Sequence, residues 1–140
     1  MSVINLIAGR TYRATFDQSV GAMDPALFVF RPDRDNGDRA NANWSRDATG
    51  ATGDEFVVFT APVSGLYAFV IANDNHNASI FTFRVTCGAD FNLDGVVSVQ
   101  DIFDFLNAWF AQQPATDFLQ DGTINVQDIF DFLNVWFSGC

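Results

Sequence analysis

The chain has 140 residues, with 17 acids against seven bases for a formal charge of −10, 49% apolar residues and 16 Phe. Every base is Arg, so the basic footprint that nucleic acid or an anionic membrane surface requires is missing, and no apolar run reaches the ~18 residues of a membrane span. The length suits one domain or two small ones, and the apolar content is enough to build a core.

Strand-like alternation or short apolar runs mark residues 3–8, 11–17, 26–31, 55–61, 66–72 and 79–86, separated by Gly, Pro, Asn and Asp. Tyr12, Ala14 and Phe16, and likewise Phe81, Phe83 and Val85, alternate with polar neighbours, so one face of each strand is expected to line a core. Six such segments and no helical pattern predict a small antiparallel β-sandwich over residues 1–86. The polar, Arg/Asp-rich stretch 31–54 is expected to be a surface excursion. Asp33, Asp35, Asn36 and Asp38 lie there, but Arg34 and Arg39 among them favour a solvated loop over a cation site. His76, the only histidine, sits among Asn and Asp as a loop residue, which leaves no catalytic triad. Asn43-Trp44-Ser45 and Asn77-Ala78-Ser79 are acceptor sequons. Met1 and Ser2 lead straight into a strand pattern without a signal peptide, as expected of the C-terminal part of something longer.

The segments LIAGRTYRATF, MDPALFVFRPD and FTAPVSGLYAFVIAND resemble the bacterial pre-peptidase C-terminal domain, a β-sandwich appended to secreted proteins. The resemblance implies an accessory, non-catalytic role.

Charge divides the chain. Residues 1–86 hold nine acids and all seven Arg, whereas residues 87–140 hold eight Asp and no base. Eight unpaired carboxylates on so short a segment repel one another in a compact state. A divalent cation would supply the missing positive charge.

The same segment repeats itself at a period of 27 residues. DFNLDGVVSVQDIFDFLNAWF from Asp90 aligns with DFLQDGTINVQDIFDFLNVWF from Asp117, identical at 15 of 21 positions. In the first copy Asp90, Asn92, Asp94, Gly95, Ser98 and Asp101 fall at positions 1, 3, 5, 6, 9 and 12 of a calcium-loop spacing. Oxygen-bearing side chains at 1, 3 and 5 converge on one side of a curled chain, Gly turns it at 6, and the Val96 carbonyl adds a ligand from position 7. A set of hard oxygens suits Ca²⁺. The second copy places Asp117, Asp121, Gly122, Asn125 and Asp128 at positions 1, 5, 6, 9 and 12, with the Thr123 carbonyl at 7. Leu119 stands at position 3, so a weaker second site is expected.

Each loop runs into a predicted helix. Ile102, Phe103, Phe105, Leu106, Trp109 and Phe110 recur at helical spacing, as do Ile129, Phe130, Phe132, Leu133, Trp136 and Phe137. Ser98 with Asp101 and Asn125 with Asp128 form capping pairs. The two helices cover much of each other's apolar surface, and the surplus aromatics are expected to face the sandwich or a partner.

This duplicated D-x-N-x-D-G-x-x-S-x-x-D loop–helix unit resembles the dockerin family, over about residues 90–140. VQDIFDFL and the closing FLNVWFSGC are similar to modules at the C-termini of secreted planctomycete-like proteins. The resemblance implies a calcium-dependent docking module whose type members bind a cohesin domain. By position it implies partner contacts at Val99, Gln100, Leu106 and Asn107, and at Val126, Gln127, Leu133 and Asn134. The Ser/Thr and Lys/Arg usual at such contacts are absent.

Two cysteines, Cys87 and Cys140, bracket the repeat. A near-symmetric helix pair brings its ends together, so a disulfide between them would clasp the module, adding roughly 4 kcal/mol by loop closure. Alternatively the thiols are free or intermolecular. A disulfide would imply an oxidising, extracellular compartment.

The expected fold is thus α+β and two-domain: an antiparallel β-sandwich over residues 1–86, then a small all-α dockerin-like pair of calcium loop–helix units over 87–140. The expected function is secreted, non-catalytic, calcium-dependent docking to a protein partner, either cohesin-like or a second copy. Two alternatives are a self-assembling surface protein and a carbohydrate-binding accessory module that uses Trp44.

Overall fold

A computed structural model of the chain describes residues 1–32, 42–47 and 54–139. Seven strands are present among them: β1 (Ser2–Leu6), β2 (Thr11–Gly21), β3 (Pro25–Phe30), β4 (Trp44–Arg46), β5 (Glu55–Thr60), β6 (Gly65–Asn73) and β7 (Ser79–Cys87). They form two antiparallel sheets, with strand orders β1-β6-β3-β4 and β5-β2-β7. Helix α1 spans Val99–Phe110, a single 3-10 turn covers Pro114–Thr116, and α2 spans Val126–Ser138.

The alternation in the strands sorts their side chains into layers. Ala14 of β2 and Val57 and Phe59 of β5 share one buried cluster with Leu6, Leu27, Val29, Tyr67 and Phe69 of the other sheet. Tyr12, Phe83 and Val85 pack against it. Strand β2 pairs with β5 from Thr11–Thr60 to Phe16–Glu55, and with β7 from Tyr12–Cys87 to Gly21–Ser79. An irregularity between Gln18 and Val20 carries β2 past the expected end of its alternation.

The opposite face of the β5-β2-β7 sheet is covered too. Arg13, Thr15 and Phe56 are buried on it, and Val58 packs against a second cluster built on Phe105, Phe118 and Phe132. Phe105 and Phe132 hold equivalent positions of the repeat, and their rings stack at 4.2 Å and 5°. Phe91 and Phe118, another equivalent pair, meet both rings edge-on.

The expected two-domain fold, ending in an all-α pair, is therefore corrected. The described residues are mostly antiparallel β in two sheets, with only two α-helices. These helices do not make an all-α unit of their own, because a strand residue, Val58, takes part in their core. Spacing puts six apolar positions on each helix, with much of that surface expected to be covered within the pair and the surplus aromatics to face the sandwich or a partner. Phe105 and Phe132 are fully buried, Ile102, Trp109, Ile129, Leu133 and Trp136 pack against their cluster together with Val58 of the sheet, and Phe103, Phe110, Phe130 and Phe137 are exposed. Strand β4 was not foreseen, since three residues are too few to show a period, and it lies in the stretch read as a surface excursion. Residues 33–38 of that stretch, including the Asp/Asn group, lie outside the described residues.

Candidate metal centre

Both loops fold to the same backbone. Position 4 has positive φ in each, 62° at Leu93 and 59° at Gln120, and so does the position-6 glycine, 88° at Gly95 and 86° at Gly122. At position 6 the left-handed turn disfavours any side chain. The hydrogen bonds match as well. Asp94 and Gly95 N–H donate to the two oxygens of Asp90 at 3.1 Å each, and Asp121 and Gly122 N–H donate likewise to Asp117 at 3.1 Å. Val96 N–H donates to Asp94 and Thr123 N–H to Asp121, both at 2.8 Å.

The twelfth residue closes each loop and caps the helix that follows. Asp101 accepts from Ser98 N–H at 2.8 Å and from Phe91 N–H at 2.9 Å. Asp128 accepts from Asn125 N–H at 2.8 Å and Leu119 N–H at 3.2 Å. Ser98 and Asn125 accept in turn from Gln100 and Gln127 N–H, completing both capping boxes. Asp90, Asp101, Asp117 and Asp128 are buried, whereas Asn92, Asp94, Val96, Asp121 and Thr123 are exposed. Among the described residues no three His, Cys, Asp or Glu side chains gather into a metal-holding group. The carboxylates instead accept hydrogen bonds from the loop backbone.

Burial pushes the Asp90 carboxyl above its ordinary range; the Gly95 N–H bond opposes this and the neighbouring Asp101 adds to it. A cation beside Asp90 would relieve both the burial cost and the repulsion. The six oxygen donors of the first loop, at Asp90, Asn92, Asp94, Val96, Ser98 and Asp101, fit a hard divalent ion by their chemistry. The second loop fits less well. Leu119 contributes no oxygen, and a cation from the chain itself already meets Asp117: Arg46 of β4 approaches its Oδ2 at 3.5 Å.

Two arginines of the sheets therefore stand beside the first residues of the two loops. Arg46 lies 5.4 Å over the ring of Phe56, and Arg13 lies 4.5 Å over the same ring and 5.3 Å over Phe91. Burial lowers the pKa of Arg13 to about 10, opposed by Asp17 and Asp90, and the group stays cationic at neutral pH. Its Nε and Nη1 have no hydrogen-bond partner. Sequence reasoning missed these contacts. Its one signal was the unbalanced charge of the repeat, which pointed to a cation without saying that part of it comes from residues 13 and 46.

The positions carried over as partner contacts lie on the helices. Val99, Gln100, Asn107, Val126, Gln127 and Asn134 are exposed, and Leu106 and Leu133 are half-buried. Beside them is a surface that spacing assigned to the apolar stripe. Phe103 and Phe130 are 58% and 56% exposed, and Phe110 and Phe137 are both 75% exposed. Trp44 packs on Phe59 at 4.7 Å and on Tyr67 at 6.4 Å, so its ring is half-buried against the core of the sandwich. Cys87 is disulfide-bonded; Cys140, the only other cysteine of the sequence, lies outside the described residues. No helix is long and apolar enough to cross a membrane among the described residues.

Compared with protein-family models, curated proteins and solved structures, the chain finds no match.

Proposed function

We propose that the chain is a non-catalytic, calcium-stabilised docking module that carries a protein partner on the outer surface of its duplicated helices. The observation that carries this reading is the matched exposure of Phe103 with Phe130 and of Phe110 with Phe137. Four large rings held in water at repeat-equivalent positions are costly for a monomer and useful to an interface. Calcium enters through the first loop, whose donors Asp90, Asn92, Asp94, Val96, Ser98 and Asp101 keep the spacing of a hard-cation loop. The disulfide at Cys87 supports a secreted or surface location. The dockerin-like repeat makes a cohesin-type domain the partner to try first.

Thermal melting of the reduced chain in millimolar calcium and in excess chelator tests the reading. A higher melting temperature and stronger helix signal in calcium are expected. Identical curves would reject it. Light scattering in calcium separates docking from self-assembly: a docking module stays monomeric, and calcium-dependent growth in mass would favour the self-assembling alternative.

A further inference from the structure

The two loops share a backbone and a hydrogen-bond pattern, yet they meet the rest of the molecule differently. Asp117 is met by the Arg46 guanidinium at 3.5 Å, with side chains only 5% and 16% exposed. Gln120, at position 4, reaches the sheet and donates from Nε2 to the Phe56 carbonyl at 2.8 Å. Its equivalent in the first loop is Leu93, which has no such donor. The first loop carries Asn92 where the second carries Leu119. Asn92 Oδ1 accepts from Asp94 N–H at 3.0 Å, whereas Leu119 is 48% exposed and offers nothing. Arg13, the sheet cation on the first loop's side, spends its guanidinium on two aromatic faces, and no ion pair joins it to Asp90 among the described residues.

We infer that Arg46 is the resident cation of the second loop, so that the chain takes one divalent ion, at the first loop, while a guanidinium from β4 holds the second loop closed. The inference rests on the calcium reading of the first loop. Three features of the second loop converge on it: a ligand position is lost, the position-1 carboxylate is neutralised by a cation shielded from water, and the loop is tied to β5. A second ion would have to displace Arg46 and leave its guanidinium beside Phe56 without its carboxylate, which is costly for a charge so shielded. The second loop nevertheless shows the conformation of the first.

Calorimetric titration of the full chain with calcium chloride, on wild type, Asp94→Ala and the double variant Arg46→Gln/Leu119→Asp, tests this directly. Melting of wild type and Arg46→Gln in excess chelator supplies a second readout. We expect one ion per chain in wild type, none in Asp94→Ala, two in the double variant, and a melting temperature several degrees lower for Arg46→Gln in chelator. Two ions in wild type, one of them retained in Asp94→Ala, would overturn the inference and leave the calcium reading standing. No ion in wild type would reject the calcium reading, and the role of Arg46 would then be decided in chelator alone. An unchanged melting temperature for Arg46→Gln there overturns it.

Discussion

Trp109 donates its indole N–H to the main-chain carbonyl of Asn125 at 2.9 Å, tying α1 to the loop residue that caps α2. The repeat returns the bond, since Trp136 donates to the carbonyl of Ser98, the cap of α1, at 2.8 Å. Each helix thus fastens the loop that precedes the other helix at its position 9. Phe in place of Trp109 should cost about 1 kcal/mol for the lost hydrogen bond, more if the Asn125 carbonyl is left unsatisfied. Trp136→Phe should, in addition, weaken calcium binding at the first loop, which calorimetry would read as a raised Kd. Equal calcium affinity in the two variants would argue against this coupling.

Phe105→Ala and Phe132→Ala should each lower stability by about 3–5 kcal/mol. These rings stack on each other and each meets two further rings edge-on, so removing one leaves a void among partners fixed by two helices and a sheet. Urea midpoints, compared at unchanged slope, would measure the loss.

Phe110→Ser with Phe137→Ser should change stability by less than about 0.5 kcal/mol per residue, as for other surface positions. A fall as large as that for Phe105→Ala would mean that these rings are covered in solution. If the wild type binds a cohesin-type domain, the pair should abolish that binding with folding intact.

Asp17 gives the acid response a definite sign. Burial and the nearby Asp54 raise its pKa above the ordinary 3.8, against the pull of Arg84 and Arg13. A group that holds its proton more tightly when folded gains stability as pH falls through its folded pKa towards the unfolded value, and burdens the fold above it. Asp17→Asn should therefore raise the melting temperature relative to wild type at neutral pH, and the difference should shrink as the solution is acidified through that window. A constant difference across the range would contradict the assignment.

Much of the sandwich was legible because its strands alternate cleanly: Tyr12 and Ala14, Phe83 and Val85 announce their shared face by spacing two. The repeat was legible because fifteen identities at a fixed period need no structural context. Ser98–Asp101 and Asn125–Asp128 were readable as caps, since capping is local chemistry. What escaped was long-range. Nothing near Arg46 in sequence indicates Asp117, 71 residues away, and nothing near Val58 shows that it would enter the helical core. Periodicity gave each helix one apolar arc without showing that Phe103 and Phe110 would end on its wet edge. That outcome depends on where the sheet sits.

Seating a duplicated pair on a sheet with no matching repeat has a geometric result. Two interchangeable units become distinguishable: one meets the sheet through Arg46 at Asp117 and through Gln120, and the other through Arg13 over Phe91. The twofold equivalence of the repeat is thereby broken within the folded chain, which has a distinguishable head and tail.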